Sequence, residues 1–166
     1  MDSLQRVQKV AKVLHVLSII AFVCSIVGLC LSVISSIAVI IWANDPEVIN
    51  YFAQMDITYS FNNVLCSCIC GVVQSAAGIA VYYYVKRFYK NELELGTPFN
   101  KDISKELKKL GIFRIVLSIV MACVLAIIVA CFNSKIDFSN ISGIFVGIVY
   151  LIVACILNYG AELKVK

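Results

Sequence analysis

Residues 13–44 read VLHVLSIIAFVCSIVGLCLSVISSIAVIIWAN, and these 32 residues contain no Asp, Glu, Lys or Arg. Because an α-helix crosses the hydrocarbon core of a membrane with about 20 apolar residues, this stretch predicts a transmembrane helix. Three further stretches without charge follow, at 57–85, 115–134 and 138–161. We therefore predict an all-α membrane protein with four transmembrane helices in a single domain over residues 1–166. The predicted helices span about residues 10–43, 61–86, 110–132 and 140–161.

The composition of the 166-residue chain supports the same class. The chain is 61% hydrophobic and 14% charged, whereas soluble globular domains carry about 25% charged residues. A single domain of this size cannot bury so much apolar surface away from water. The composition therefore argues against a soluble enzyme and against a disordered chain.

The few charged residues predict how the helices are oriented. Of the 14 basic residues, 13 flank the helix ends that meet on one side of the membrane, and Lys135 alone lies on the other side. Because basic residues near helix ends stay in the cytoplasm, we predict that both termini are cytoplasmic. The basic balance then follows from topology, and direct binding of nucleic acid is not needed to explain it.

Small side chains recur along each predicted helix. In lipid, helices associate where small residues let their backbones approach closely. In the first two helices these residues are Ser18, Ala21, Ser25, Gly28, Ser32 and Ser35, then Ser67, Gly71, Ser75 and Gly78. In the last two they are Ser118, Ala122, Ala126 and Ala130, then Gly143, Gly147 and Ala154. These faces predict a four-helix bundle of two antiparallel hairpins, and a homo-oligomer is a second use that such faces allow.

The predicted outer loop, residues 44–60, contains a helix start. Asp45 suits the N-cap, Pro46 the first helical position and Glu47 the first turn. We predict a short interfacial helix over about residues 46–55. An ordered lid over the bundle is favoured over a flap that binds a ligand or partner.

Eight cysteines all fall inside the predicted helices: Cys24, Cys30, Cys66, Cys68, Cys70, Cys123, Cys131 and Cys155. Buried free cysteine behaves as a small apolar side chain. A metal site is disfavoured, because Cys68 points away from Cys66 and Cys70 on a helix and the only histidine lies near the opposite membrane surface. We predict no metal and no cofactor. Cys66 and Cys131, near the outer ends of their helices, form a candidate redox pair, although membrane thiol oxidoreductases resemble this chain in helix count only.

Three polar side chains lie in or near the predicted membrane core. Gln74 is near the middle of helix 2, and His15 and Asn158 are about one turn inside the cytoplasmic ends of helices 1 and 4. An amide in hydrocarbon is costly unless it is hydrogen-bonded, so we predict that Gln74 bonds to a serine of helix 1 or to a backbone carbonyl. The alternative role is to line a transport path. Arg114 is expected to reach the inner surface, and the lack of Asp and Glu in the membrane cores argues against a proton-driven pump.

Residues 86–114 form the most charged segment. Gly96 and Pro98 break the chain, and Asn100 suits the N-cap of a new helix. Apolar residues then recur at helical spacing: Ile103, Leu107 and Leu110. Lysines occupy the other faces: Lys101, Lys105, Lys108 and Lys109. This pattern predicts a basic amphipathic helix that lies on the inner leaflet and bends at Gly111 into helix 3, as an anchor rather than a docking surface.

The same segment resembles a known family. Gly96-Thr97-Pro98-Phe99-Asn100, followed by Leu107-x-x-Leu110-Gly111, is similar to the G-x-P-F-[TS]…L-x-x-[IL]-[GA] hairpin of small four-helix bacterial membrane proteins of unknown function. Asn100 stands where Thr or Ser is commoner. The resemblance implies a multi-pass protein of the bacterial cytoplasmic membrane, often encoded beside a small helix-turn-helix regulator. It implies no reaction, substrate or cofactor, and it favours a partner-facing surface.

Three functions follow, in order of preference. The first is a non-enzymatic membrane protein that binds or regulates a cytoplasmic or membrane partner through residues 86–110. Its candidate contacts are Gly96, Pro98, Phe99, Lys101, Lys105, Lys108 and Lys109. The second is a small transport or channel subunit, and the third is a membrane thiol oxidoreductase. The sequence contains no Ser-His-Asp set, phosphate-binding loop or H-E-x-x-H motif that would indicate a catalytic site.

Overall fold

The computed structural model of the chain describes residues 3–43, 45–48, 50, 61–96, 100–133 and 142–163. Most of these residues form four long helices: α1 (Ser3–Trp42), α2 (Phe61–Leu95), α3 (Lys101–Cys131) and α4 (Ser142–Leu163). Each helix contains a segment long and apolar enough to cross a membrane, and no strand occurs among the described residues. The predicted all-α class with four long apolar helices is confirmed.

Two helices extend further than predicted at the end where α2 is followed by α3, which we call the basic end. α2 continues past residue 86 to Leu95, and α3 begins at Lys101. Residues 101–110 are the first turns of α3, whose helical structure continues through Gly111 without interruption. The reason is packing, since the apolar face of these turns is buried against α2 and α4. Its residues are Ile103, Leu107 and Leu110.

The helix ends between α2 and α3 follow the local sequence signals. Gly96 adopts a left-handed conformation with φ 67°, which glycine reaches without steric cost. Its N–H donates to the carbonyl of Glu92 over 3.1 Å. Asn100 caps α3, because its side-chain oxygen accepts a bond of 2.9 Å from the N–H of Asp102. The break at Gly96 and the cap at Asn100 are therefore both present.

The loop before α2 is described only in part. The N–H of Glu47 donates to the Asp45 carboxylate over 2.9 Å, which is the contact expected of an N-cap. The predicted interfacial helix over residues 46–55 falls mostly outside the described residues. Pro98 and Phe99 also lie outside them.

α1 and α2 contact each other through glycine and serine. The close contacts pair Ser25 with Gly78, Gly28 with Ser75, and Ser32 with Gly71. Because residue numbers rise along α1 as they fall along α2, the two helices run in opposite directions. A Cβ on Gly71 would lie 2.9 Å from Ser32 Oγ. Three residues of the small-residue face predicted for helix 1 therefore lie in this contact, namely Ser25, Gly28 and Ser32. Ser35, at the end of that face, is exposed.

α3 and α4 contact each other backbone to backbone. A Cβ on Gly147 would lie 2.9 Å from the carbonyl oxygen of Gly111 and 2.5 Å from Ile115 Cγ1. Ser104 Oγ donates to the carbonyl of Ala154 over 2.7 Å, and this hydrogen bond is buried. The glycines and Ala154 of the predicted helix 4 face therefore lie in the contact.

The register of this pair leaves part of α3 without α4 beside it. Gly143, in the first turn of α4, contacts Ser118. The remaining 13 residues of α3, about 20 Å of helix, extend past the start of α4. The alanines predicted to pack there are exposed: Ala122, Ala126 and Ala130. Within the described chain these three residues do not pack against another helix, because no described part of α4 lies alongside them.

α2 connects the two pairs by packing against α3. Near the basic end, one buried cluster contains Val81, Val85, Phe88, Ile103, Leu107, Leu110 and Ala154. Toward the opposite end, a second contains Cys66, Cys70, Met121 and Leu125. Among the described helices, extensive contacts join only those that follow each other in the chain. This arrangement leaves space between α1 and α3.

Candidate functional site

A cavity of about 490 Å³ lies between α1, α2 and α3. Sites for small molecules usually measure about 300–1,000 Å³. Six of its lining residues have polar side chains: Ser25, Gln74, Ser75, Tyr82, Arg114 and Ser118. We call this space the polar cavity.

The polar cavity lies among the apolar parts of the helices. Gly78, in its wall, is seven residues inside the end of the charge-free stretch 57–85, a distance of about 10 Å along the helix. Ser25 and Gly28, in the opposite wall, lie near the middle of the stretch 13–44. Polar groups at this depth are costly unless they are bonded, and in membrane proteins they often mark functional sites.

Two hydroxyls of the polar cavity bond within their own helices. Ser25 Oγ donates to the carbonyl of Ala21 over 2.9 Å, and Ser118 Oγ donates to the carbonyl of Arg114 over 2.8 Å. Each oxygen keeps the capacity to accept a further bond, and rotation about the Cβ–Oγ bond lets each hydroxyl donate to a ligand instead. The two serines therefore suit either a donor or an acceptor on a bound molecule.

Gln74 is exposed in the wall of the polar cavity. The sequence predicted a hydrogen bond to a serine of helix 1 or to a backbone carbonyl, but the side chain faces open space. Its amide offers two N–H donors and one carbonyl acceptor to whatever occupies that space. Gln74 is thus the predicted intramembrane residue that the fold places at a candidate site.

Arg114 is the one charged residue among the described residues that line the polar cavity. Its Nε lies 3.4 Å from the position that a Cβ on Gly143 would take, so the side chain lies beside the start of α4. Among the described residues, no carboxylate lies within ion-pair distance of it. The sequence predicts that Arg114 reaches the inner surface, but it did not predict that Arg114 lines this cavity. The spacing from Ser118 could have indicated it, since residues four apart share a helix face.

The other two predicted intramembrane polar residues do not line the polar cavity. Asn158 Nδ2 donates to Glu162 Oε1 over 3.0 Å, one turn further along α4. His15 Nδ1 is buried and has no hydrogen-bond partner within the described part of the chain. The structure therefore does not bring Gln74 together with His15 and Asn158.

The predicted partner-binding lysines lie at the basic end of α3. All four are exposed: Lys101, Lys105, Lys108 and Lys109. We call them the lysine surface. Lys105 Nζ is 3.6 Å from the Asp102 carboxylate in an exposed pair, which stabilises the fold little. Gly96 is half-buried, and its carbonyl accepts a bond of 3.0 Å from Gln8 Nε2, which joins the start of α1 to the end of α2.

A cavity of about 380 Å³ lies next to the lysine surface, between α2 and α3. Its lining combines aromatic side chains with charged ones: Tyr84, Phe88 and Phe113, with Arg87, Glu106 and Lys109. Asn91 Nδ2 donates to both carboxylate oxygens of Glu106, each over 3.0 Å. The Glu106 carboxylate is therefore held by α2, beside two basic side chains.

All eight cysteines are free thiols. Cys66 is fully buried beside Cys70, whereas Cys131 is exposed. The two members of the candidate redox pair thus have different surroundings. Within the described ranges, no group of three or more His, Cys, Asp or Glu side chains is placed to hold a metal ion.

No protein-family model matches the chain, and neither a curated protein nor a solved structure matches it. The resemblance carried by residues 96–111 therefore stays an expectation.

Proposed function

We propose that the chain is a non-enzymatic, multi-pass protein of a bacterial cytoplasmic membrane that binds or regulates a cytoplasmic or membrane partner at its basic end. In this proposal both termini face the cytoplasm, and α1–α2 and α3–α4 form two antiparallel hairpins. The orientation is supported by the 13 of 14 basic residues that flank one set of helix ends.

The lysine surface is the observation that carries this proposal. A basic amphipathic segment anchors to lipid by inserting its apolar face into the leaflet. In this protein that face is already buried by α2 and α4, with Ile103 1% exposed and Leu107 5% exposed. The lysines therefore lie on the outside of a protein core, which suits contact with an acidic protein surface better than anchoring.

The neighbouring cavity gives this surface a means of selecting its partner. Charge attraction speeds encounter, whereas a pocket for an apolar side chain sets specificity. Tyr84 and Phe113 form an aromatic wall there, with ring centroids 4.9 Å apart, and Lys109 contributes a positive charge. We expect a partner segment that combines acidic residues with one large apolar side chain.

The experiment is in-membrane cross-linking of the full chain with two sets of lysine substitutions. The first set changes the lysine surface: Lys101→Gln, Lys105→Gln, Lys108→Gln and Lys109→Gln. The control set changes exposed lysines on the same predicted side that lie outside residues 86–110: Lys9→Gln and Lys12→Gln. We expect a specific cross-linked partner to be lost with the first set only, and to be lost from the unaltered protein as salt is raised. The same partners with both sets, or no partner with either, would refute docking at this surface.

A second candidate function, a small transport or channel subunit, is favoured by the polar cavity. Its wall contains Gln74 together with Ser25 and Gly28 of the small-residue face. A path for a polar solute through a membrane protein needs polar side chains between the helices, because these groups replace the water molecules that hydrate the solute. Uptake of small solutes into proteoliposomes tests this candidate. We expect uptake by the unaltered chain and a loss in Gln74→Leu, and no uptake above empty vesicles would exclude transport by the chain alone.

A further inference from the structure

We propose that the polar cavity binds an anionic group, a carboxylate or a phosphate, through Arg114. This inference deepens the second candidate function, because it names the ligand class of the same cavity, but it requires binding only and no movement across the membrane. The same chemistry is carried by a lipid headgroup or by a free solute.

The guanidinium of Arg114 has no counter-charge among the described residues. A guanidinium is always protonated in proteins, and a charge within a membrane-spanning helix is costly unless a counter-charge or water accompanies it. Arg114 directly precedes the charge-free stretch 115–134, and it lines the same cavity as Ser25 and Gly78, which lie deep in their own charge-free stretches. No described carboxylate forms an ion pair with it. A bound anion supplies the missing counter-charge.

Several hydrogen-bond donors line the polar cavity together with Arg114. The guanidinium presents N–H groups in a planar fork that matches the two oxygens of a carboxylate or phosphate. The Gln74 amide and the hydroxyls of Ser75 and Tyr82 line the same cavity and each has a proton to donate. Because the described lining contains no carboxylate, nothing there repels an anion.

The polar cavity also has the room that such a group needs. The volume of about 490 Å³ is far larger than the volume that one water molecule occupies in the liquid, about 30 Å³. The space therefore accommodates an ionic headgroup with part of its backbone, or a small organic acid.

The test measures binding to the purified full chain in two arms. The free-anion arm titrates inorganic phosphate and acetate against the protein in neutral detergent. The lipid arm compares thermal unfolding in nanodiscs of phosphatidylcholine with nanodiscs that also contain phosphatidylglycerol. Saturable binding in the first arm identifies a free solute, and stabilisation confined to the second identifies a lipid headgroup. Either supports the proposal, whereas no saturable effect in both arms overturns it.

Matched arginine variants locate the effect. Arg114→Gln is expected to weaken binding by about 10- to 100-fold, as expected when a charged hydrogen-bonding partner is lost. Arg114→Lys keeps the positive charge but loses the planar set of N–H donors, so its affinity for the anion is expected to lie between those of the unaltered protein and Arg114→Gln. This variant also tests the proposal if Arg114→Gln does not fold. Arg87→Gln removes an arginine that does not line the polar cavity and is expected to change binding less than about twofold, as for substitutions remote from a site. Equal weakening in Arg87→Gln and Arg114→Gln would overturn the assignment.

Two further outcomes separate this inference from its alternatives. Asp137 is the acid nearest in sequence to the start of α4, so Asp137→Asn is the control for a counter-charge supplied by the chain itself. Anion binding that appears only in Asp137→Asn overturns the proposal. Loss of binding in Arg114→Gln with solute uptake unchanged supports the proposal while excluding the cavity as the transport path. Uptake without any anion binding overturns the inference alone.

Discussion

The two helix pairs use glycine in different ways. Between α1 and α2, glycine faces a serine hydroxyl, as Gly71 faces Ser32 Oγ. Between α3 and α4, Gly147 faces the backbone of Gly111 and Ile115. A hydroxyl turns aside by rotation about one bond, whereas the backbone of a packed helix moves only with the whole helix. The same substitution should therefore have unequal effects in the two pairs.

The pairs also differ in register. α1 and α2 lie side by side over most of their length, since Gln8 reaches Gly96 at one end and Ser32 meets Gly71 toward the other. α4 begins beside Ser118 and accompanies only the basic-end part of α3. A row of small residues is thus a packing face only where a second helix runs alongside it.

The largest effect is expected from Gly147→Ala, which tests the backbone contact of α3 with α4. The new Cβ would lie 2.5 Å from Ile115 Cγ1 and 2.9 Å from the carbonyl oxygen of Gly111. We expect the free energy of unfolding to fall by about 2 kcal/mol, as for other overpacked contacts. Titration with SDS in mixed micelles measures it. A change no larger than that of Gly71→Ala would refute the contrast between the pairs.

A smaller loss is expected from Ser104→Ala. The substitution removes the buried 2.7 Å hydrogen bond from Ser104 Oγ to the carbonyl of Ala154. The expected cost in the free energy of unfolding is about 1 kcal/mol. The same titration measures it, with Ser67→Ala as the control because Ser67 is exposed on α2. Equal effects of the two substitutions would show that the register of α3 against α4 does not depend on this bond.

Gly71→Ala is the counterpart of Gly147→Ala in the other pair. Its Cβ would lie 2.9 Å from Ser32 Oγ, and rotation of that hydroxyl relieves the contact. Alanine also favours a helix over glycine by about 1 kcal/mol. We therefore expect a net change in the free energy of unfolding within about 0.5 kcal/mol. A loss as large as about 2 kcal/mol would mean that α1 and α2 are as tightly packed as α3 and α4.

The smallest effect is expected from Ala126→Leu, which enlarges an exposed residue on the part of α3 beyond α4. Since no described helix packs on that face, we expect stability to change by less than about 0.5 kcal/mol and the oligomeric state to stay the same. Light scattering of the purified protein in detergent measures the oligomeric state. Dissociation of an oligomer by Ala126→Leu, with Val120→Ala as an exposed control on the same helix, would instead identify the face as a contact between copies of the chain.

The sequence predicts the parts of this fold that local chemistry decides. A charge-free stretch such as 13–44 has only the helix as a way to satisfy its backbone in lipid. The break at Gly96 and the cap at Asn100 involve neighbours within a few residues, so the local sequence alone predicts them. The recurrence of small residues along helix 1 indicated its contact with helix 2, because Ser25, Gly28 and Ser32 lie where the two helices meet.

The parts that the sequence did not predict depend on two faces meeting. Ala122 and Ala126 have the same spacing as true packing residues, and only the position of α4, set by the fit of Gly147 on Gly111, leaves them exposed. The place of Arg114 in the lining of the polar cavity was not predicted, because that space is formed by three helices together and by no single one. A cavity between helices that do not pack against each other is therefore hard to predict from the residue pattern of either helix.

Among the described helices, the extensive contacts follow the order of synthesis, since α1 packs on α2, α2 on α3 and α3 on α4. Each described helix therefore meets an extensive partner as soon as the next helix emerges from the ribosome. Such local connectivity favours rapid assembly with little exposure of unsatisfied faces. The described walls of the polar cavity come from α1, α2 and α3, which are all made before α4, so the last helix joins a scaffold that already contains these residues of the site.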